Sequence, residues 1–366
     1  MLPTLSVTPE NPLFIEDEQA VTLFSGVDAN TNDTGQSFTG FTFSVSGVKE
    51  GAQEVISLSG VDISLGLIVM VWLAAVVMLF PRRGGATVTV SGVSLSQADM
   101  NSLLASMAYR HSGQNPTAGA RDITLLELRD NGEPGYNSTS LNVTSKVVAQ
   151  AVNDAPEVTT STGALTFIEG EGSKPIDVGL TLSDIDSATL VQAVVTISGN
   201  YVSNEDALLF TNSGTTMGNI SASFDTLTGT MTLTSAGASA TMAEWQTALR
   251  SVAYANTSQN PSTLPRTVEY AINDGQLSST VAARSITLVE GNAAPTFAGL
   301  DGAPIFTEGS SPVRLNSNLS ITDEELVTFN NGVGDFNGAS LTLSRQLGSN
   351  AEDQLSFDTE EPPIQF

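Results

Sequence analysis

Apolar and polar residues alternate in short runs along this chain. TVTVSG (87–92), MTLTSA (231–236), RTVEYAIND (266–274) and SLTLSR (340–345) are rich in Val, Thr, Leu and Tyr, and their period of two predicts half-buried β-strands. Clusters of Gly, Asn, Asp and Ser punctuate them as turns. Two segments switch period. They begin Ser96-x-x-Asp99 and Thr241-x-x-Glu244, which read as capping-box starts. Met100, Leu103 and Leu104 then supply the buried stripe of one short helix, and Trp245, Ala248 and Leu249 that of the other. Short strands with regular turns and one short helix per unit predict an all-β fold of sandwiches strung in tandem. Tyr109, Tyr254, Trp245 and Phe210 are expected in the core.

The chain repeats itself. SQADMNSLLASMAYRHSGQNPTAGAR (96–121) aligns without a gap to TMAEWQTALRSVAYANTSQNPSTLPR (241–266), pairing Leu104 with Leu249, Tyr109 with Tyr254 and Arg121 with Arg266. SNEDALLF (203–210) echoes in SNAEDQLSF (349–357). LFIEDEQ (13–19), TFIEGEG (166–172) and IFTEGSS (305–311) form a third set. Self-similarity at so long a period marks an array of modules. The expected units are 1–152 and 153–291, with 292–366 as the opening of a third, truncated repeat in a longer array.

Charge narrows the classes. The 366 residues carry 39 Asp and Glu against 13 Lys and Arg, a net charge of −26, with one His and no Cys. No disulfide framework, thiolate zinc site or cysteine nucleophile is possible. Nucleic acid and anionic membrane surfaces are disfavoured, because both need clustered cations. An acidic surface most often serves solubility alone; divalent-cation binding is the sharper reading, since Ca²⁺ takes six to eight oxygen ligands.

The module junctions concentrate oxygen donors. VNDAP (152–156) joins the first two units and GNAAP (291–295) the next two; Asn and Asp tolerate turns there, and the Pro keeps the connection extended. Unit 2 adds Glu169 and Glu171, the Asp184-x-Asp186 pair of SDIDS, and Asn273-Asp274-Gly275. Unit 1 adds Glu16 to Glu18, Asp28 with Asn30, and Asp130-Asn131-Gly132. An Asp-x-Asp in a loop can direct both carboxylates to one ion, because the chain there need not keep strand alternation.

These segments, with WQTALRSVAYANTSQNP (245–261), RTVEYAINDG (266–275) and ARSITLVEGNAAP (283–295), resemble the cadherin-like extender repeats of giant bacterial RTX-type surface adhesins. The helical segment is also similar to the chondroitin sulphate proteoglycan repeat. The resemblance spans nearly the whole chain. It implies tandem Ig-like, cadherin-like sandwiches with Ca²⁺ at the joints, in a stalk that projects a distal binding domain. Asn153, Asp154, Asp184 and Asp186 match the linker and Asp-x-Asp positions of cadherins. At the second joint Ala293 stands where Asp154 stood, and Ile321-Thr322-Asp323-Glu324 replaces Asp-x-Asp, so Asn292 and Asp323 are what remains there.

One stretch departs from the pattern. Leu65–Phe80, LGLIVMVWLAAVVMLF, is followed by Pro81-Arg82-Arg83. Its 16 residues fall short of the roughly 20 a membrane-spanning helix needs. A crossing would also put the two parts of one sandwich on opposite faces of a bilayer, so no span is expected. The same place in unit 2 holds the polar TNSGTTMGNISASF (211–224). Two readings stay open: a buried strand pair, or a short out-of-frame stretch in the DNA.

Functionally the resemblance implies calcium-stiffened stalk repeats of a secreted or cell-surface adhesin serving adhesion or biofilm formation. Its partners would be calcium ions, neighbouring repeats, and a host or biofilm surface met through a domain outside this sequence. The alternatives are accessory sandwiches of a secreted carbohydrate-active enzyme or surface-layer protein, and a membrane-anchored protein. Catalysis is not expected. His111 faces Asn256 in the repeat alignment and should decorate a loop, no phosphate-cradling glycine loop opens a helix, and no Gly-x-Ser-x-Gly elbow occurs. MLPTLSVTPEN has neither the basic start nor the apolar length of a signal peptide, and the resemblance implies export by a C-terminal signal instead.

Overall fold

Val88 and Val90, on the buried side of the 87–92 run, stand opposite Phe43 and Phe41 of an antiparallel neighbour. The computed structural model describes residues 1–366 apart from 67–68, 73–74, 83, 293, 300–301, 317, 324–325, 327–336, 345, 347–349, 351 and 357–366; along 69–72 and 75–82 it describes the backbone. The chain divides into two units, Met1–Asp154 and Ala155–Phe366.

Unit 1 runs β1 (Thr4–Pro9), β2 (Leu13–Ile15), β3 (Val21–Thr22), β4 (Phe24–Asn30), β5 (Phe38–Ser46), β6 (Glu54–Leu58), β7 (Val61–Ser64), β8 (Val69–Trp72), β9 (Ala75–Arg82), β10 (Gly85–Leu95), α1 (Gln97–Ala105), β11 (Ala108–His111), β12 (Gly119–Asp130) and β13 (Ser138–Gln150). One sheet has the order β2-β13-β12-β5-β10-β9-β8 and the facing one β3-β11-β6-β7, while β1 and β4 form a ribbon. Phe41, Phe43, Val88, Ile123 and Val147 from the first sheet meet Ile56, Leu58, Ile63 and Tyr109 from the second in one core. Burying each such side chain fully contributes about 1.5–3 kcal/mol relative to leaving it in water.

Unit 2 repeats this plan with β14 (Glu157–Thr159), β15 (Leu165–Ile168), β16 (Lys174–Pro175), β17 (Thr181–Ser183), β18 (Gln192–Gly199), β19 (Asp206–Leu209), β20 (Ile220–Asp225), β21 (Thr230–Ser235), α2 (Met242–Ser251), β22 (Ala253–Asn256), β23 (Arg266–Asn273) and β24 (Ala282–Val289). Its sheets are β15-β24-β23-β18-β21-β20 and β16-β22-β19, with the ribbon β14-β17. In both units the second strand closes the large sheet by running parallel to the last: Phe14 stands beside Ala149, and Phe167 beside Leu288. The fold is therefore a tandem of β-sandwiches with one short helix each. Beyond Val289, β25 (Thr296–Ala298) and β26 (Ser320–Thr322) pair antiparallel.

Both capping boxes form. Asp99 N–H donates to Ser96 Oγ at 3.2 Å, and Glu244 N–H to Thr241 Oγ1 at 3.3 Å, with each acidic side chain reaching back to the cap. Trp245, Ala248 and Leu249 are all buried, and the Trp245 indole donates to the Leu190 carbonyl at 3.0 Å. In α1 the stripe is narrower, with Met100 and Leu104 buried and Leu103 partly so.

The apolar run has strands where the backbone is described. β8 and β9 form a hairpin, and β9 lies beside β10 as β20 lies beside β21. Its residues 67–68 and 73–74 lie outside the described residues. Among those described, no helix is long and apolar enough to cross a membrane. His111 departs from expectation: it ends β11 instead of decorating a loop, and its side chain is buried.

Candidate functional site

The Asp-x-Asp pair occupies the loop between β17 and β18. Glu157, just after the chain enters unit 2, stands opposite Ser183, so this loop lies at the leading end of the sandwich. Asp184 Oδ1 accepts the N–H groups of Asp186 at 3.2 Å and Ser187 at 2.8 Å, which folds the loop over both carboxylates. No donor reaches the buried Asp184 Oδ2. Burial first, and the Asp186 carboxylate beside it, hold the Asp184 pKa above its ordinary value despite the Ser187 N–H.

Asn273 and Asp274 lie at the same end, because Gln192 of β18 stands opposite Asn273 and Val191 N–H donates to its carbonyl at 2.9 Å. Both side chains shape their own turn. Asn273 Oδ1 accepts Gly275 N–H at 2.7 Å, and Asp274 Oδ1 accepts the N–H groups of Gln276 at 2.6 Å and Leu277 at 2.7 Å. Asp130 does the same at the leading end of unit 1, where its Oδ1 accepts Gly132 N–H at 2.9 Å from a side chain only 2% exposed.

Glu169 sits at the other end of unit 2. β24 runs antiparallel to β23 and parallel to β15, so Val289 and Ile168 finish side by side. There Glu169 Oε2 accepts Gly291 N–H at 3.2 Å. Unit 1 repeats the arrangement: Glu16 Oε2 accepts Val152 N–H at 2.8 Å. Asn153 and Asp154 follow, half-buried, with Asn153 Nδ2 donating to the Asp154 carbonyl at 2.7 Å. Asp323 is buried and accepts Leu326 N–H at 3.0 Å, whereas Ala293 and Glu324 lie outside the described residues.

The structure thus brings Asp184 to Asp186, and Asn273 and Asp274 to the same end, while Glu169 stands at the opposite end and Asp130 belongs to unit 1. Among the described residues no three His, Asp or Glu side chains are grouped as a metal's ligand set.

A second constellation escapes a reading by pattern alone. Arg121 is fully buried, and its Nε and Nη2 donate to the two Glu54 carboxylate oxygens at 3.2 Å each; Nη2 also reaches Glu50 at 3.1 Å. Its Nη1 ties down the Thr117 and Gly119 carbonyls at 2.8 and 3.0 Å. Tyr109 donates to Glu54, and Phe14 meets Tyr109 edge-on at 5.5 Å. Unit 2 rebuilds this from Arg266, Asp206, Tyr254 and Phe167. Arg266 Nε donates to Asp206 at 3.0 Å and Nη1 to the Ser262 and Leu264 carbonyls at 2.7 Å each, Tyr254 donates to Asp206, and the ring pair stands at 4.9 Å. Even His111 and Asn256 correspond. Gly113 N–H donates to His111 Nδ1 at 3.1 Å, and Ser258 N–H to Asn256 Oδ1 at 2.9 Å.

Burial raises the pKa of both tyrosines, and the neighbouring carboxylate adds to it. Burial alone would also raise that of Glu54. The Arg121 hydrogen bonds and the Lys49 and Glu50 N–H groups outweigh it and hold the carboxyl below its ordinary 4.5. The signal was present in RTVEYAIND, whose period of two puts Arg266 on the same face as Val268, Tyr270 and Ile272; a cation on a core face needs a buried partner.

No protein-family model matches the chain. Over 122 residues it is 31% identical to halomucin of Haloquadratum walsbyi, a match covering 33% of this chain and 1% of halomucin. Among solved structures it is similar to protocadherin gamma B2 extracellular cadherin domains 3–6, at 14% identity and TM-score 0.28, covering 88% of this chain and 59% of that one. It is likewise similar to human CDH23 EC21-23, at 13% identity and TM-score 0.27, covering 88% and 80%.

Proposed function

We propose that the chain is a run of non-catalytic stalk repeats from a secreted or cell-surface bacterial adhesin of the RTX type, stiffened by Ca²⁺ at the module joints. Residues 292–366 would open a third repeat, since β25 and β26 pair as β14 and β17 do. Neighbouring repeats are then its partners, and a domain outside this sequence would meet the host or biofilm surface. The 122 residues similar to halomucin amount to 1% of that protein, which suits a module used in very long chains.

The observation that carries the reading is the Asp184–Asp186 pair. Two carboxylates crowd a half-buried loop, and an oxygen of one lacks any donor. A divalent cation relieves that repulsion and satisfies the oxygen. Asp184 and Asp186 would hold the ion, with carbonyl and water oxygens completing the six to eight that Ca²⁺ takes; Asn153 and Asp154 are the linker's own candidate donors. Bound charge would fix the angle between neighbouring sandwiches, which mutual repulsion otherwise leaves free.

Calorimetric titration of the full chain with CaCl₂ tests this. Saturable heat is expected, and at a hundredfold excess over Kd unfolding should cost about 2.7 kcal/mol more than in chelator. Both effects should fall in the Asp184→Asn, Asp186→Asn double variant. Absence of saturable binding at millimolar Ca²⁺ would overturn the reading.

A further inference from the structure

The geometry points to Glu16 and Glu169 as linker anchors: we infer that each holds, through its carboxylate, the second amide beyond the last strand of its own sandwich, and so fixes the direction in which the chain departs whether or not metal is bound. The same construction occurs twice. Each Glu follows the short strand that runs parallel to the last strand of its unit. Its backbone N–H extends that ladder by one step, Glu16 to the Gln150 carbonyl and Glu169 to the Val289 carbonyl, both at 3.0 Å. Its carboxylate then takes the next amide but one, from Val152 at 2.8 Å and from Gly291 at 3.2 Å. Backbone and side chain of one residue therefore grip two successive points of the departing chain.

Two further observations show a built joint. Glu16 is only 3% exposed, so its hydrogen bond to Val152 is sheltered from competing water. At Gly291 a Cβ would stand 2.9 Å from the Glu169 carbonyl oxygen, so the chain passes Glu169 as closely as glycine permits. The anchors precede Asn153-Asp154 and Asn292, and holding the residue before a ligand removes freedom that binding would otherwise have to remove.

Amide hydrogen exchange by NMR on the full chain, with chelator present, tests the anchors apart from any calcium role. A hydrogen bond to a charged acceptor is worth about 1.5–3 kcal/mol, or roughly ten- to a hundredfold in local opening. Glu16→Ala should accelerate exchange at Val152 by that factor, and Glu169→Ala at Gly291, while core amides of the same unit stay protected. Glu16→Gln and Glu169→Gln keep an acceptor oxygen and should retain most of the protection. Unchanged exchange at Val152 and Gly291 in the Ala variants would overturn the inference. Should an Ala variant unfold its unit, the Gln variant decides alone: protection kept supports the anchor, and protection lost refutes it.

Discussion

Arg121 and Arg266 are the residues whose roles differ most from what their surroundings suggest. Each lies on a strand in the rhythm of core positions, yet each is a guanidinium with no exposed surface. Such a pair contributes little compared with apolar residues of the same volume, but breaking it leaves one buried charge alone, at about 3–5 kcal/mol. Arg266→Met should therefore lower the stability of unit 2 by that amount in urea unfolding. Adding Asp206→Leu should restore part of the loss, because the orphaned carboxylate goes with it; a double variant no better than the single would argue against the pairing. The geometry also explains why an Arg recurs there at all. Its Nη1 holds two carbonyls where the chain passes from β11 into β12 or from β22 toward β23, which an apolar side chain cannot do.

At the scale of the element, local signals were legible because they act within a few residues. The capping boxes at Ser96 and Thr241 formed as their spacing implies, since an orphan N–H three positions on needs an acceptor wherever the helix packs. Thr241→Ala should cost about 1 kcal/mol in chemical denaturation, with Ser96→Ala behaving alike; no change in either would place helix stability in tertiary packing alone. The apolar run 65–80 left two readings open, and its described backbone forms the strand pair of one of them. Hydropathy by itself suits a helix or a strand equally, and the described parts are strands because β10 offers an open edge that β9 extends. His111 differs from its repeat partner in residue type, yet it ends a strand as Asn256 does, and its Nδ1 does what the Asn256 amide oxygen does.

For the whole molecule, Glu54 in unit 1 and Asp184 in unit 2 should contribute to the acid response with opposite sign, while Asp225, held below its ordinary value by the Leu227 N–H and the Thr228 hydroxyl, adds to unit 2 with the sign of Glu54. Glu54 has its folded pKa below the ordinary 4.5, so its contribution to unit 1 is complete above that value and is lost as pH falls through the folded one. Asp184 has its folded pKa above the ordinary 3.8, so what it adds to unit 2 is complete below that value and is lost as pH rises through the folded one. Exchange protection followed from pH 6 to 3, normalised to intrinsic rates, should thus fall in unit 1, and Glu54→Gln should flatten that loss. In unit 2, Asp184→Asn should remove a gain. Equal slopes in the variants and the parent chain would show that other carboxylates dominate.

Strand rhythm within the two sandwiches, helix starts and the duplication were set by the order of residues alone, because period, capping and self-similarity are properties of neighbours along the chain; the alternating run SLTLSR is the exception, since its described residues 340–344 are exposed and form no strand. Which candidate oxygens meet was decided only by folding. Asp184 and Asp186 share a loop, but Glu169 lies at the far end of the same sandwich, since the direction of each strand, invisible in composition, determines the end at which its loop emerges. The buried arginines belong to this second kind. Glu54 and Arg121, or Asp206 and Arg266, lie far apart in sequence and become partners only when two sheets close over them, where low dielectric makes pairing obligatory.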